Sequence, residues 1–108
     1  MNDQQIEQEI QAKGLTAPRV TPEDLEANIC HVDIVTYVGP RGQTLRWAVI
    51  ETASGFLVPG KPSASVSPEN DDEELGTKIA VENARNELWP LMGYALKERL
   101  ANPQGAMQ

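Results

Sequence analysis

Four arginines stand out in an otherwise acidic chain: Arg41, Arg46, Arg85 and Arg99. A guanidinium is planar and grips phosphate or carboxylate through two parallel hydrogen bonds. Each arginine is therefore either a clamp for an anionic ligand or a salt-bridge partner on the surface. Arg41 falls in a predicted turn and Arg85 falls close to Asn83, which makes these two the better placed for phosphate. Asn83 itself sits inside an apolar helical stripe, beside Ile79. Asparagine is a poor mid-helix residue and needs partners when buried, so it either caps a loop carbonyl or hydrogen-bonds the edge of a ligand base. Phe56 and Trp47 read as core residues, although one aromatic ring can stack a base at an open edge of a sheet.

Catalytic groups are sparse. Cys30 and His31 are neighbours of the thiol–imidazole type, but adjacent strand residues point to opposite faces. They cannot meet without a bulge and are read as structural. Asp71-Asp72-Glu73-Glu74 lacks the glycine and the spacing of a calcium loop and reads as an acidic helix start. Gly39–Gly42 and Ser54-Gly55 are turns rather than phosphate loops, and there is no dinucleotide fingerprint. One cysteine and one histidine allow neither a zinc cluster nor an intrachain disulfide. The chain is expected to bind rather than catalyse, with no cofactor and no metal.

The elements that would position these residues can be read from pattern. Ile6 and Ile10, spaced i, i+4, predict a short helix over Met1–Lys13 that Gly14 stops. Thr21-Pro22-Glu23-Asp24 starts a second short helix, with a hydroxyl cap, a first-turn proline and acids facing the dipole. It is expected to end near Asn28, with Leu25 and Ile29 inward. Cys30–Val38 and Thr44–Glu51 predict two strands around a Gly39-Pro40-Arg41-Gly42 turn, and Phe56-Leu57-Val58 begins a third that Pro59, Gly60 and Pro62 cut short. In the second strand Leu45, Trp47 and Val49 share one face; Arg46, Ala48 and Ile50 share the other. Lys61–Asn70 reads as a loop, and Asn70 or Asp71 caps a long helix running to about Leu100. On that helix Leu75, Ile79, Trp89, Leu96 and Leu100 form one stripe, and Ala84, Leu88, Leu91 and Ala95 a second. A helix apolar on two sides packs between two things, its own sheet and a partner chain. Pro90 predicts a kink near Trp89.

The expected architecture is α+β: a small antiparallel β-meander packed against a long kinked C-terminal helix, with a short N-terminal helix. Residues 1–20 form a helical and extended arm, 21–100 a single domain and 101–108 a flexible tail. At 108 residues, with 40% hydrophobic and 5% aromatic content, the monomer core is lean, and a homo-oligomer is expected to add burial. A net charge of -7 argues against wrapping long nucleic acid, where Lys and Arg supply the affinity. The chain carries no signal-peptide pattern and no apolar run that would span a bilayer, so no membrane and a reducing, cytoplasmic location are expected.

Several segments together resemble a small family of tailed-phage and prophage proteins called gp-forty-nine/gene-sixty-six. They are Ser67-Pro68-Glu69-Asn70, Glu74-Leu75-Gly76, Lys78-Ile79-Ala80, Glu82-Asn83-Ala84 and Leu88 to Leu100, with Gly55-Phe56-Leu57-Val58-Pro59-Gly60 and the N-terminal Gln5–Gln11 and Lys13–Ile29. Two departures stand out: Asp71 replaces an aromatic after the Pro-x-Asn turn, and Ala64-Ser65 stands where a loop cysteine is common. More distantly, the family is similar to anti-defence sponges that phages use against the Thoeris system. That similarity implies a non-enzymatic oligomer in the host cytoplasm that captures cyclic ADP-ribose-type or other cyclic nucleotide signals. It makes Asn83, Arg85, Arg41, Phe56, Asn70 and Arg99 the candidate ligand-binding residues. The competing expectation is an acidic phage inhibitor that mimics nucleic acid, with Glu69–Glu74 and the helix docking on a basic host defence protein such as a CRISPR complex. A small nucleotide-processing enzyme is a third reading, for which no base can be named.

Overall fold

The computed structural model describes residues 2–103. They form two compact units, one spanning Asn28–Leu88 and the other made by the chain before and after it. The expected α+β content is present. Three helices, α1 (Asp3–Ala12), α2 (Pro22–Ala27) and α3 (Glu73–Ala101), accompany four strands, β1 (Ile29–Val38), β2 (Thr44–Thr52), β3 (Leu57–Pro59) and β4 (Ser63–Ala64). Met1 and most of the predicted tail lie outside the described residues.

In the Asn28–Leu88 unit, β2 is the central strand. β1 pairs antiparallel along one edge, from Val32↔Ile50 to Val38↔Thr44. β3 and then β4 pair along the other, through Ile50↔Val58 and Arg46↔Ser63. β4 lies within Lys61–Asn70, where the sequence predicts a loop; two residues are too few to carry a pattern. The β1–β2 turn closes through Gly42 N–H to Gly39 O at 3.0 Å. Gly42 has φ +90°, and a side chain there would press on Pro68 of the 3-10 turn Pro68–Asn70.

The buried face of β2 is not the one with the larger side chains. Thr44, Arg46, Ala48, Ile50 and Thr52 are buried, whereas Leu45, Trp47 and Val49 are half-buried on the open face. The expectation that Trp47 is core is corrected. So is that for Phe56, which precedes β3 and is 63% exposed. On the covered side α3 approaches the sheet's last turns closely. Its buried residues in this unit are Ala80, Ala84 and Leu88, spaced i, i+4, i+8. Gly60 lies so near that an added Cβ would sit 2.5 Å from Ala84 N. Small residues face small residues, and full burial of Leu88 and Ile50 contributes about 2 kcal/mol each. Of the other predicted stripe of α3, Leu75, Ile79 and Leu100 are exposed and Trp89 and Leu96 half-buried, and in the Ala84–Leu88 stripe Leu91 and Ala95 are exposed. α3 starts where Asp72 Oδ1 accepts the Leu75 N–H at 2.9 Å, and it extends through Pro90, which lacks the donor for one helix bond.

In the other unit α1 is capped by Asn2, whose side chain and that of Gln5 bond reciprocally to backbone N–H groups. α2 has the same reciprocal cap between Thr21 and Asp24, at 3.1 and 3.0 Å, and buries Leu25 as expected. Arg19 forks onto Glu7 at 2.6 and 2.7 Å. That carboxyl, bonded by Arg19 and also by Gln11, is held down at about 2.

Candidate functional site

The best-defined polar site lies in the Asn28–Leu88 unit, where β2, β4 and the start of α3 converge. Arg46 points to the covered side of the sheet because it is in phase with Ala48 and Ile50. Its Nη1 and Nη2 donate to Asp71 Oδ1 and Oδ2 at 2.7 and 2.8 Å. Asp71 is fixed by its backbone N–H to Pro68 O at 3.1 Å and by a donated bond from Ser65 Oγ at 3.4 Å. The guanidinium, through these hydrogen bonds, holds the Asp71 carboxyl below the usual carboxylate range. The carboxylate in turn keeps Arg46 above its ordinary value. Ser63 Oγ donates to Gly76 O at 2.8 Å and ties β4 to the first turn of α3.

Beside this pair is a cavity of about 110 Å³, lined by Thr44, Ser63, Ser65, Asn70 and Asp72, with Leu75 at its wall. It is small against the several hundred Å³ of an ordinary ligand pocket. Its cation is already matched by Asp71, so a phosphate would have to displace a carboxylate held by two short bonds. Among the described residues, every buried side-chain polar atom has a partner. The site is thus an internal latch with a hydroxyl-rich mouth, suited to a small neutral polar group more than to a dianion.

Of the six residues singled out by sequence, only Asn70 lines this cavity. Asn83 Nδ2 donates to Lys61 O at 2.9 Å, which is the loop-capping alternative. Arg85 Nε pairs with Glu82 Oε2 at 3.6 Å, one turn back on α3. Arg41 is exposed at the β1–β2 turn. Phe56 turns its ring to solvent while its carbonyl accepts from Thr52. Arg99 is exposed on the last turns of α3, in the other unit. His31 Nε2 lies 2.9 Å from Asp33 Oδ1 on the exposed strand, and Cys30 is an exposed free thiol. Sequence reasoning missed Arg46 and Asp71 as a pair. The available signal was a charge in phase with Ala48 and Ile50 in the middle of a strand.

A second hollow, of about 280 Å³ and mainly apolar, lies in the other unit among Ile6, Ile10, Val20, Pro22 and Trp89. Among the described residues, no cluster of histidine, cysteine and carboxylates could hold a metal, and no helix is long and apolar enough to cross a membrane.

The family described as phage protein (N4 Gp49/phage Sf6 gene 66) matches residues 20–100. No curated protein and no solved structure matches.

Proposed function

Because the chain belongs to the N4 Gp49/phage Sf6 gene 66 family of phage proteins, we propose that it serves the phage in the host cytoplasm as an anti-defence protein. In this reading it binds a small cyclic nucleotide immune signal and sequesters it without cleavage. The observation that carries the reading is where the protein leaves its recognition chemistry. The inward guanidinium of Arg46 is spent on Asp71, while Tyr37, Phe56, Tyr94, Arg41 and Arg99 are all exposed. Aromatic faces stack bases and guanidinium groups clamp phosphate. Tyr37 and Arg41 sit at the β1–β2 hairpin, Phe56 just before β3, and Tyr94 and Arg99 on α3; in this reading a nucleotide site is assembled from such groups where copies of the chain meet. Asn70 supplies an amide near the start of α3; Asn83 and Arg85, bonded to Lys61 O and paired with Glu82, would exchange those partners for the ligand.

The test is native mass spectrometry and calorimetry with cyclic ADP-ribose and with cyclic dinucleotides. Stoichiometric uptake, followed by release of the intact nucleotide on heating, is expected. No binding with protein well above the nucleotide concentration, or release of a hydrolysed product, refutes the reading. A second reading is favoured by the exposed acids Glu69, Asp72, Glu73 and Glu74 that lead into α3. They would occupy a basic cleft on a host defence protein. Capture of a host protein whose affinity drops steeply with salt, with no nucleotide binding, would select it.

A further inference from the structure

The edge of the sheet formed by β1 is long and unguarded. From Asp33 to Val38 every residue is exposed, although Ile34, Val35, Tyr37 and Val38 are large and apolar. Natural edge strands are blunted by lysine, proline, bulges or a covering element. The only irregularity in β1 lies between Ile29 and His31, and the register from His31 to Val38 is unbroken.

The direction of the backbone groups follows from bonds around the strand. Gly39 donates its N–H to Gln43 O at 2.8 Å, so that pair is a bonded one. Bonded and non-bonded pairs alternate in an antiparallel ladder. Tyr37, Val35 and Asp33 therefore spend their N–H and C=O groups on β2, and Val38, Thr36, Ile34 and Val32 aim theirs outward. Two bonds on the far side of β2 agree. Ala48, opposite Ile34, accepts from Gly60 N–H at 2.9 Å, and Thr52, in phase with Ala48 along β2, donates its N–H to Phe56 O at 3.0 Å.

We propose that this edge pairs with the same edge of a second copy, antiparallel and centred on Val35, to make one continuous sheet across a two-fold axis. The outward-facing set is symmetric about that residue. Val32 then meets Val38 of the other copy, Ile34 meets Thr36, and each such pair exchanges both main-chain bonds. The two-fold keeps each face on its own side, so Val32 meets Val38 on one face and Val35 meets Val35 on the other, while Ile34 packs on the methyl-bearing side chain of Thr36. Charge also fits. The single acid of the regular stretch, Asp33, falls opposite Tyr37 of the other copy, about 13 Å along the strand from the other Asp33. A register centred on Ile34 would instead draw in the irregular Cys30, and one centred on Thr36 would run into Pro40. The inference stands on β1 alone and holds with or without a nucleotide ligand.

The test is sedimentation velocity of the full chain without nucleotide, together with cysteine crosslinking. Val35 faces itself in a non-bonded pair, where Cα atoms approach to about 4.5 Å, within disulfide range. In a Cys30→Ser background, Val35→Cys is expected to form a disulfide-linked dimer under mild oxidation, and Tyr37→Cys is not. Thr36→Pro removes an outward N–H and leaves the β2 ladder intact, so a folded monomer is expected. A wild type that stays monomeric at about 100 µM, between micromolar and millimolar affinity, overturns the proposal. So does a dimer that survives Thr36→Pro, or crosslinking at Tyr37→Cys equal to that at Val35→Cys. If Thr36→Pro fails to fold, the crosslinking pair decides alone.

Discussion

Gly60→Ala is the sharpest test of how α3 seats on the sheet. The new Cβ would lie 2.5, 2.6 and 2.8 Å from the N, Cα and Cβ of Ala84. Ordinary contacts begin near 3.5 Å, so α3 must retreat by about 1 Å. The obstacle is mostly helix backbone, and no rotamer change relieves it. A gap of that size forfeits a quarter to a half of the dispersion energy along the contact. Ala80, Ala84 and Leu88 on the helix and Ala48 and Ile50 on β2 are the fully buried residues at stake. Overpacking of this kind costs about 2–3 kcal/mol. For a chain of this length each kcal/mol moves Tm by about 4 °C, so a fall of about 8–12 °C is expected by circular dichroism at 222 nm. Gly93→Ala on the same helix is the control. A Cβ there meets nothing within 4 Å, and alanine is the better helix former by about 1 kcal/mol. Its Tm should rise by a few degrees. Equal effects of the two substitutions, or a Gly60→Ala protein as stable as wild type, would refute the packing argument.

Three further outcomes are expected. Glu7 titrates at about 2 in the folded chain against an ordinary 4.5, and a lowered carboxylate stabilises above its unfolded value and loses that contribution as pH falls through the folded one. The Tm gap between wild type and Glu7→Gln should therefore be full at neutral pH and close between about pH 4.5 and 2, as followed by thermal unfolding across that range. Breaking the Arg46–Asp71 pair from one side leaves a charge stranded, whereas replacing both partners does not; Arg46→Met or Asp71→Leu alone should lower the urea midpoint more than the two together. Asn83→Ala removes the bond to Lys61 O and should cost about 1 kcal/mol in urea unfolding; if it abolishes nucleotide uptake at unchanged fold, Asn83 does more than cap the loop.

The parts of the fold that sequence foretold are those fixed by local chemistry. Gly14 with φ +69°, the Thr21-Pro22 helix start and the Gly39–Gly42 hairpin all fell where the residues placed them. What failed was the choice of face. β2 offers Leu45, Trp47 and Val49 on one side and Arg46, Ala48 and Ile50 on the other, and transfer free energy alone favours burying the first set. Shape decided otherwise. A helix whose Ala84 backbone lies against Gly60 leaves little depth for a large ring at that contact. Burying Arg46 was possible only because Asp71, 25 residues away, arrives to match it. No pattern within a strand records a partner that distant. The same long-range step drew Asn83 to Lys61 O and left Phe56 and Arg41 outside.

The charge of the chain gives the two proposed interactions opposite responses to salt. Each copy carries -7, so two copies approaching through β1 repel each other over the whole molecule. The edge itself supplies main-chain bonds and apolar contacts that salt hardly weakens. Screening shortens the reach of the repulsion from about 30 Å at 0.01 M to about 8 Å at 0.15 M. Self-association should therefore tighten as salt rises, measured by sedimentation equilibrium in that range. Guanidinium–phosphate pairs at exposed Arg41 and Arg99 lose attraction over the same range. Nucleotide affinity at fixed subunit number should weaken. A dimer that falls apart as salt rises would mean that charge pairs hold it, and the β1 edge, whose acid is Asp33 alone in its regular stretch, could not be the interface.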